Sequence, residues 1–374
     1  MSTQPKPARN SNLELFRILV MLLVIAHHYV VNSGLYAGGP VLANPTAAPS
    51  LFLLLFGAWG KTGINCFVLI SGYFMCKSSI SAKKFAKLFL EVVFYNIVIN
   101  FLFFIFGYGS FSLGSLISIF FPVTEIGVGF TGAYLVFFLT IPFLNVLVNH
   151  MTQRQHIYLL LLMSFMYVLT GTLKMIFTLY MNYVSWFAVL YLFSSYVRLY
   201  PNKLFENTKA WGIMTLCSVA LSALSVVAGA WLMSKIGKNL TYYFVSDSNA
   251  ILALVTGFCA FMFFKNVSIP NSRFINTLAA SSFGVLLIHT NSDLMRHWLW
   301  VDTLDNVGTY SKAWMPLHAI GSVLAIYAVC TGIDYLRIRF LETPFFRLWD
   351  RHYDKFLGKF KKAEATVFDK LGVK

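Results

Sequence analysis

Apolar stretches of about twenty residues recur along this chain from Leu13 to Leu336, far more than the core of a soluble domain can absorb. Each is long enough to cross the hydrocarbon layer of a bilayer as a helix. Windows of that length predict spans near 13 to 33, 55 to 76, 88 to 108, 129 to 148, 157 to 176, 180 to 198, 210 to 233, 249 to 265, 276 to 294 and 313 to 336. The fold class this predicts is all-α: a polytopic integral membrane bundle of about ten transmembrane helices. Composition agrees, with 58% hydrophobic, 17% aromatic and 11% charged residues and a mean hydropathy of +0.69. Residues 109 to 128 are apolar but glycine-rich and broken by Pro122 and Glu125, the pattern of a re-entrant or interfacial segment. No linker or soluble stretch is long enough for a second domain, so residues 1 to 374 read as one.

The basic start, with Lys6 and Arg9, resembles a secretory signal, but Glu14 and Arg17 interrupt the first apolar run and many spans follow. It reads as an uncleaved first helix. The net charge of +15 would point to nucleic acid in a soluble protein; here the basic residues gather in particular loops and in the tail, so no nucleic-acid role is expected. With a cytoplasmic N-terminus the inner loops hold Lys77, Lys83, Lys84, Lys87, Arg154, Arg198, Lys203, Lys209, Lys265 and Arg273, and the outer loops are poorer. Lys61, near the outer end of the second span, runs against that trend. An even helix count returns the C-terminus to the cytoplasm, where the basic tail, residues 349 to 374, can lie on anionic lipid. The expected location is the cell membrane, crossed many times. The cysteines, Cys66, Cys76, Cys217, Cys259 and Cys330, show no close pair and no metal-ligand spacing, so buried free thiols and no metal site are expected.

Within the first span, Arg17 stands eleven residues before His28. At about 100° per residue, eleven steps are roughly three turns, so the two share one face about 16 Å apart along the axis. Glu14, one turn before Arg17, joins them. With the N-terminus inside, Arg17 lies about 6 Å and His28 about 22 Å into the helix. Charged groups are costly in a membrane and are functional candidates by default, although a local Glu14–Arg17 ion pair with His28 bonded to a neighbouring helix also fits. His27 points about 100° away from His28. Asn96, Asn100 and Asn145 fit inter-helix hydrogen bonding, and Tyr29, Tyr73, Tyr134 and Trp186 suit interfacial anchors as well as sugar stacking.

The arginine, ten residues, histidine pattern of Arg17 and His28 resembles the opening of the membrane-bound acyltransferase-3 family, which includes bacterial polysaccharide O-acetyltransferases. The segment Gly63-Ile-Asn-Cys-Phe-Val-Leu-Ile-Ser71-Gly72-Tyr73-Phe74 is similar to that family's Ser-Gly-aromatic helix. Tyr134 to Asn145, Trp186-Phe, Phe283 to His289 and Glu342-Thr-Pro344-Phe345 resemble its later landmarks, and the resemblance covers roughly residues 9 to 348. The family's basic pair after the second helix is often Arg-x-x-Arg; here it is Lys84-Phe-Ala-Lys87, which keeps the charge and loses the bidentate fork.

The resemblance implies O-acyl transfer, with acetyl the expected group, from cytoplasmic acyl-coenzyme A to a hydroxyl of a cell-surface or exopolysaccharide sugar. Acetyl-CoA is then a donor substrate and no cofactor is permanently bound. Expected partners are acyl-CoA, a saccharide or lipid-linked polysaccharide acceptor, and membrane lipids. Lys83, Lys84 and Lys87 are placed to hold the donor's phosphates, although simple positive-inside topology accounts for them equally well, and Arg17 can add its fork. The donor's arm would run along the first helix, whose Arg17-to-His28 rise is similar to its reach. His28 is the expected catalytic residue, as general base or through a covalent acyl-histidine. Glu14 can orient Arg17, and Glu91 either orients the lysines or forms an i,i+4 pair with Lys87. His289, Ser71 and Tyr73 are expected on the acceptor side or in structural roles. The alternative reading is a secondary transporter of an organic anion or saccharide, with Arg17 binding substrate and His28 carrying a proton.

Overall fold

The computed structural model describes residues 10–109, 113–123, 129–174, 176 and 181–353. Seven helical stretches among them are long and apolar enough to cross a membrane: Ser11–Val31, Ala48–Met75, Ala82–Ile105, Phe130–His150, Gln153–Thr172, Thr208–Ile236 and Met315–Tyr353. Three further predicted spans correspond to shorter helices. Tyr183–Leu199 and Ile251–Asn266 have 17 and 16 residues, and the segment from 276 to 294 is a broken helix rather than one rod. A multi-pass, all-helical membrane protein follows, with no strand among the described residues.

In chain order the helices are α1 (Ser11–Val31), α2 (Pro40–Ala43), α3 (Ala48–Gly57), α4 (Gly60–Met75), α5 (Ala82–Ile105) and α6 (Leu113–Phe120). Next come α7 (Phe130–His150), α8 (Gln153–Met163), α9 (Thr170–Thr172), α10 (Tyr183–Leu199), α11 (Thr208–Ile236) and α12 (Ile251–Asn266). The last are α13 (Arg273–Ala280), α14 (Ser282–His289), α15 (Asp293–His297), α16 (Asn306–Thr309) and α17 (Met315–Arg337). Polar residues set several starts. Asn10 accepts from the amides of Asn12 and Leu13 to begin α1, Ser81 accepts from Lys84 to begin α5, and Thr152 with Gln155 forms a capping box at α8. Helix α6 falls in the expected re-entrant segment, whose residues 110 to 112 and 124 to 128 lie outside the described ones.

Helix α1 is the hub. It packs on α3, α4, α12, α13, α14 and α17, while α4 packs in turn on α10 and α12. Between helices in lipid the driving force is close packing and hydrogen bonding rather than the hydrophobic effect, so small residues at contacts matter. Gly72 shows this: a Cβ there would overlap the Ser194 hydroxyl and come within 3.2 Å of the Tyr191 backbone. Buried polar side chains are answered across helices. Asn65 accepts from Trp186 Nε1 at 2.9 Å and donates to the Ser248 carbonyl at 2.7 Å. Asn145 donates to the Met75 carbonyl and accepts from the Tyr191 hydroxyl.

One ion network joins α5 to α17. The buried Arg337 guanidinium meets Glu91 at 3.0 Å, Asp334 at 2.8 Å and Glu342 at 2.9 Å, and Tyr95 donates to Asp334 at 2.8 Å. A single arginine thus holds three carboxylates, and Lys87 reaches Glu342 at 2.6 Å. The expected Lys87–Glu91 pair gives way to these partners because α17 and the turns after it bring stronger, more buried ones alongside.

Two other expectations change, and a third lies beyond the described residues. Tyr29, Tyr134 and Trp186 are buried in the bundle, so they are packing residues rather than interfacial anchors. Cys217 is exposed on α11, whereas the other four cysteines are buried; all five are free thiols. The basic tail beyond residue 353 lies outside the described residues.

Candidate active site

His28 sits in the last turn of α1 and His289 ends α14. These helices pack against each other, which brings His28 Nδ1 to 3.0 Å from His289 Nε2. The other nitrogen of His289, Nδ1, lies 2.6 Å from the Val285 carbonyl on the same helix. A carbonyl only accepts, so that nitrogen carries the proton. For two neutral rings the order is then fixed: His289 Nε2 accepts, His28 Nδ1 donates, and His28 Nε2 is left with its lone pair. These tautomers are assigned from the hydrogen-bond partners. The result is an imidazole base held in one tautomer by a fully buried second imidazole, whose own tautomer is held by backbone.

His28 lines a cavity of about 760 Å³. The cavity follows α1 from Val20 to its capping residue Asn32, about 18 Å along the helix axis at 1.5 Å per residue. Its walls change character along that length. Val20, Met21, Val24, Phe67, Val92 and Leu286 make one part apolar, whereas Asn32, Lys61, Asn96, Asn100, Asn291 and Arg296 make another polar. Asn291 donates to Asn96 Oδ1 at 3.0 Å, and its own Oδ1 is buried without a partner among the described residues. Amides arranged this way suit hydroxyl-rich ligands, since each offers both donor and acceptor. Ser118, Ile119 and Pro122 contribute from the segment predicted to be re-entrant.

His27 also borders the cavity, but its Nδ1 lies 2.6 Å from the Gly57 carbonyl and its ring packs on Gly60. A Cβ on Gly60 would overlap that ring, so glycine is required for the α1–α4 contact. Arg17, three residues before Val20, pairs with Glu14 at 3.4 Å. Its Nε is buried with no partner among the described residues, leaving the guanidinium with donors to spare.

The other sequence-predicted site residues lie elsewhere. Ser71 donates to the Phe67 carbonyl at 2.9 Å and is 3.0 Å from the Tyr134 hydroxyl. Tyr73 accepts from Arg198 at 2.9 Å, under its guanidinium. Glu91 is taken up by Arg337. Of the three lysines, Lys83 pairs with Asp350 and Lys87 with Glu342. Lys84 instead donates to the Ser79 carbonyl at 2.7 Å, with no carboxylate partner among the described residues. Asn291, Arg296 and Tyr183 were not singled out as site residues; each lies at a helix end or in a loop, where a single sequence carries no signal distinguishing a cavity wall from a surface.

No residues able to group as a metal site occur among the described ones. No curated protein and no solved structure matches the chain significantly. A family profile described as an acyltransferase domain matches residues 10–335, a stretch that contains Arg17, His28, the cavity walls and His289. The chain therefore belongs to the membrane acyltransferase-3 family and is an acyltransferase for groups other than amino-acyl groups.

Proposed function

We propose that this enzyme moves an acyl group, acetyl in the first instance, from cytoplasmic acyl-CoA to a hydroxyl of a cell-surface or exopolysaccharide sugar, within the plasma membrane. Both termini are cytoplasmic in this reading, which puts Arg17 on the donor side and His28 toward the acceptor side. The observation that carries it is His28, bonded to the buried His289 behind it and lining a cavity whose apolar part lies toward Arg17 and whose amide-rich part suits a saccharide.

Arg17, with spare guanidinium donors, and Lys84, without a carboxylate partner, are the groups we assign to the phosphates of the donor. The thioester arm lies along Val20, Met21 and Val24 and presents its carbonyl carbon near His28. His28 Nε2 takes the proton of the acceptor hydroxyl as the oxygen attacks that carbon. The tetrahedral intermediate collapses with cleavage of the carbon–sulfur bond, and the imidazolium returns its proton to the departing CoA thiolate. The products are the sugar ester and free CoA. Because the chain belongs to a family of acyltransferases, the transporter alternative is not carried forward.

The test is the O-acyl content of polysaccharide from cells carrying His28→Ala. The protein is expected to insert at wild-type levels while polysaccharide acylation disappears; normal acylation in that variant would remove His28 from the chemistry.

A further inference from the structure

Lys61 lies in the first turn of α4 and lines the cavity beside His28. Its ammonium donates to the Tyr183 hydroxyl at 2.7 Å and meets no carboxylate within 4.0 Å among the described residues. That position offers a lysine nothing from its own helix, because the N-terminal end of a helix is the positive end of its dipole. Retaining an unneutralised cation at a membrane helix is costly and calls for a partner. Arg296, the other cation on the wall, is neutralised by Asp293. Among the described residues, the charged side chains lining the cavity therefore sum to one uncompensated positive charge, that of Lys61.

We propose that the cavity binds an acceptor saccharide bearing an anionic group, a carboxylate or a phosphate, and that the Lys61 ammonium binds that group. The inference rests on the acyl-transfer reading above and names its acceptor class. The amides of Asn96, Asn100 and Asn291 take the hydroxyls, as they would for any sugar; Lys61 separates acidic from neutral ones. A charge-assisted hydrogen bond is strong enough to set that preference. Tyr183, already bonded to Lys61, holds the ammonium toward the cavity.

The experiment uses the purified full chain in detergent and three matched tetrasaccharides: a neutral glucan, the same glucan with one glucuronate residue, and the same glucan with one 6-phosphate. Titration is expected to show at least one anionic probe binding about ten-fold or more tighter than the neutral probe. The two anionic arms tell carboxylate from phosphate. Lys61→Gln is expected to bring the anionic-to-neutral ratio close to one, and Lys61→Arg to keep most of it. Equal binding of all three probes to the wild type, or an unchanged ratio in Lys61→Gln, would overturn the proposal. So would a Lys61→Gln variant whose loss falls on CoA binding instead. Transfer of radiolabelled acetyl from acetyl-CoA to whichever probe binds tests the acyl-transfer reading separately: binding preference without transfer sinks that reading and leaves the anion site standing.

Discussion

His28 Nδ1 and His289 Nε2 are 3.0 Å apart although 261 residues of chain separate them, so the candidate base and the group that fixes its tautomer arrive from different ends of the protein. Through Val285, the backbone of α14 determines which nitrogen of α1 faces the cavity. In the proposed mechanism His289 is therefore a positioning residue. His289→Ala is expected to lower kcat about ten- to a hundred-fold with little change in KM for acyl-CoA, the range typical of groups that orient a catalytic or ligating histidine. Steady-state kinetics with both substrates varied would show it, and a change confined to KM for acyl-CoA would assign His289 to binding. His28→Ala should cost more, about a hundred- to ten-thousand-fold.

For the proposed donor side the ion pairs sort the basic residues. Arg17→Ala and Lys84→Ala are each expected to weaken CoA binding, whereas Lys83→Ala, whose partner Asp350 sits in exposed surroundings, should change it little. Titrating CoA into each purified variant checks this. A loss in Lys83→Ala as large as in Lys84→Ala would return the whole lysine cluster to the donor site.

Arg337 is the only cation touching both Glu91 and Asp334 among the described residues, and its removal leaves buried carboxylates without a counter-charge. Arg337→Leu is expected to destabilise the bundle by about 3–5 kcal/mol, enough to lower its yield from membranes sharply. The thermal midpoint of the purified protein measures it. Adding Glu91→Gln to Arg337→Leu should recover part of the loss; no recovery would show that the pair contributes nothing beyond packing.

At Gly60 the space for a side chain is already filled by the His27 ring. Gly60→Ala should displace that ring from the Gly57 carbonyl and shift the adjoining turn of α1, costing about 1–3 kcal/mol of stability and lowering activity with it. His27→Ala in the same background should relieve the overlap. If the double variant is no better than Gly60→Ala alone, the crowding lies elsewhere.

Helices that run through apolar sequence were readable: the expected span 13 to 33 is Ser11–Val31, and 129 to 148 is Phe130–His150. The break at Ser281 was not, because Ala-Ala-Ser-Ser-Phe contains neither proline nor glycine at the turn and its hydropathy is continuous. His28 stood out through the cost of polar groups in a membrane, and His289 was noticed at the end of an apolar run. Their contact could not be read, since spacing within one helix says nothing about which distant helix lies beside it. The same limit explains Lys87. Its neighbour four residues on, Glu91, is the local choice, but Glu342 and Arg337 come from sequence some 250 residues away and take both partners.

The break at Ser281 places His289 on an eight-residue helix that exists only after roughly three-quarters of the chain has been made. While earlier helices are being inserted, His28 already exists but has nothing to hold its proton arrangement, and the Asn291 and Arg296 side of the cavity is still missing. A half-built molecule thus carries an idle imidazole. In the proposed acyl transfer, the order of synthesis then acts as a safety catch, keeping an unfinished enzyme from spending its acyl donor on water.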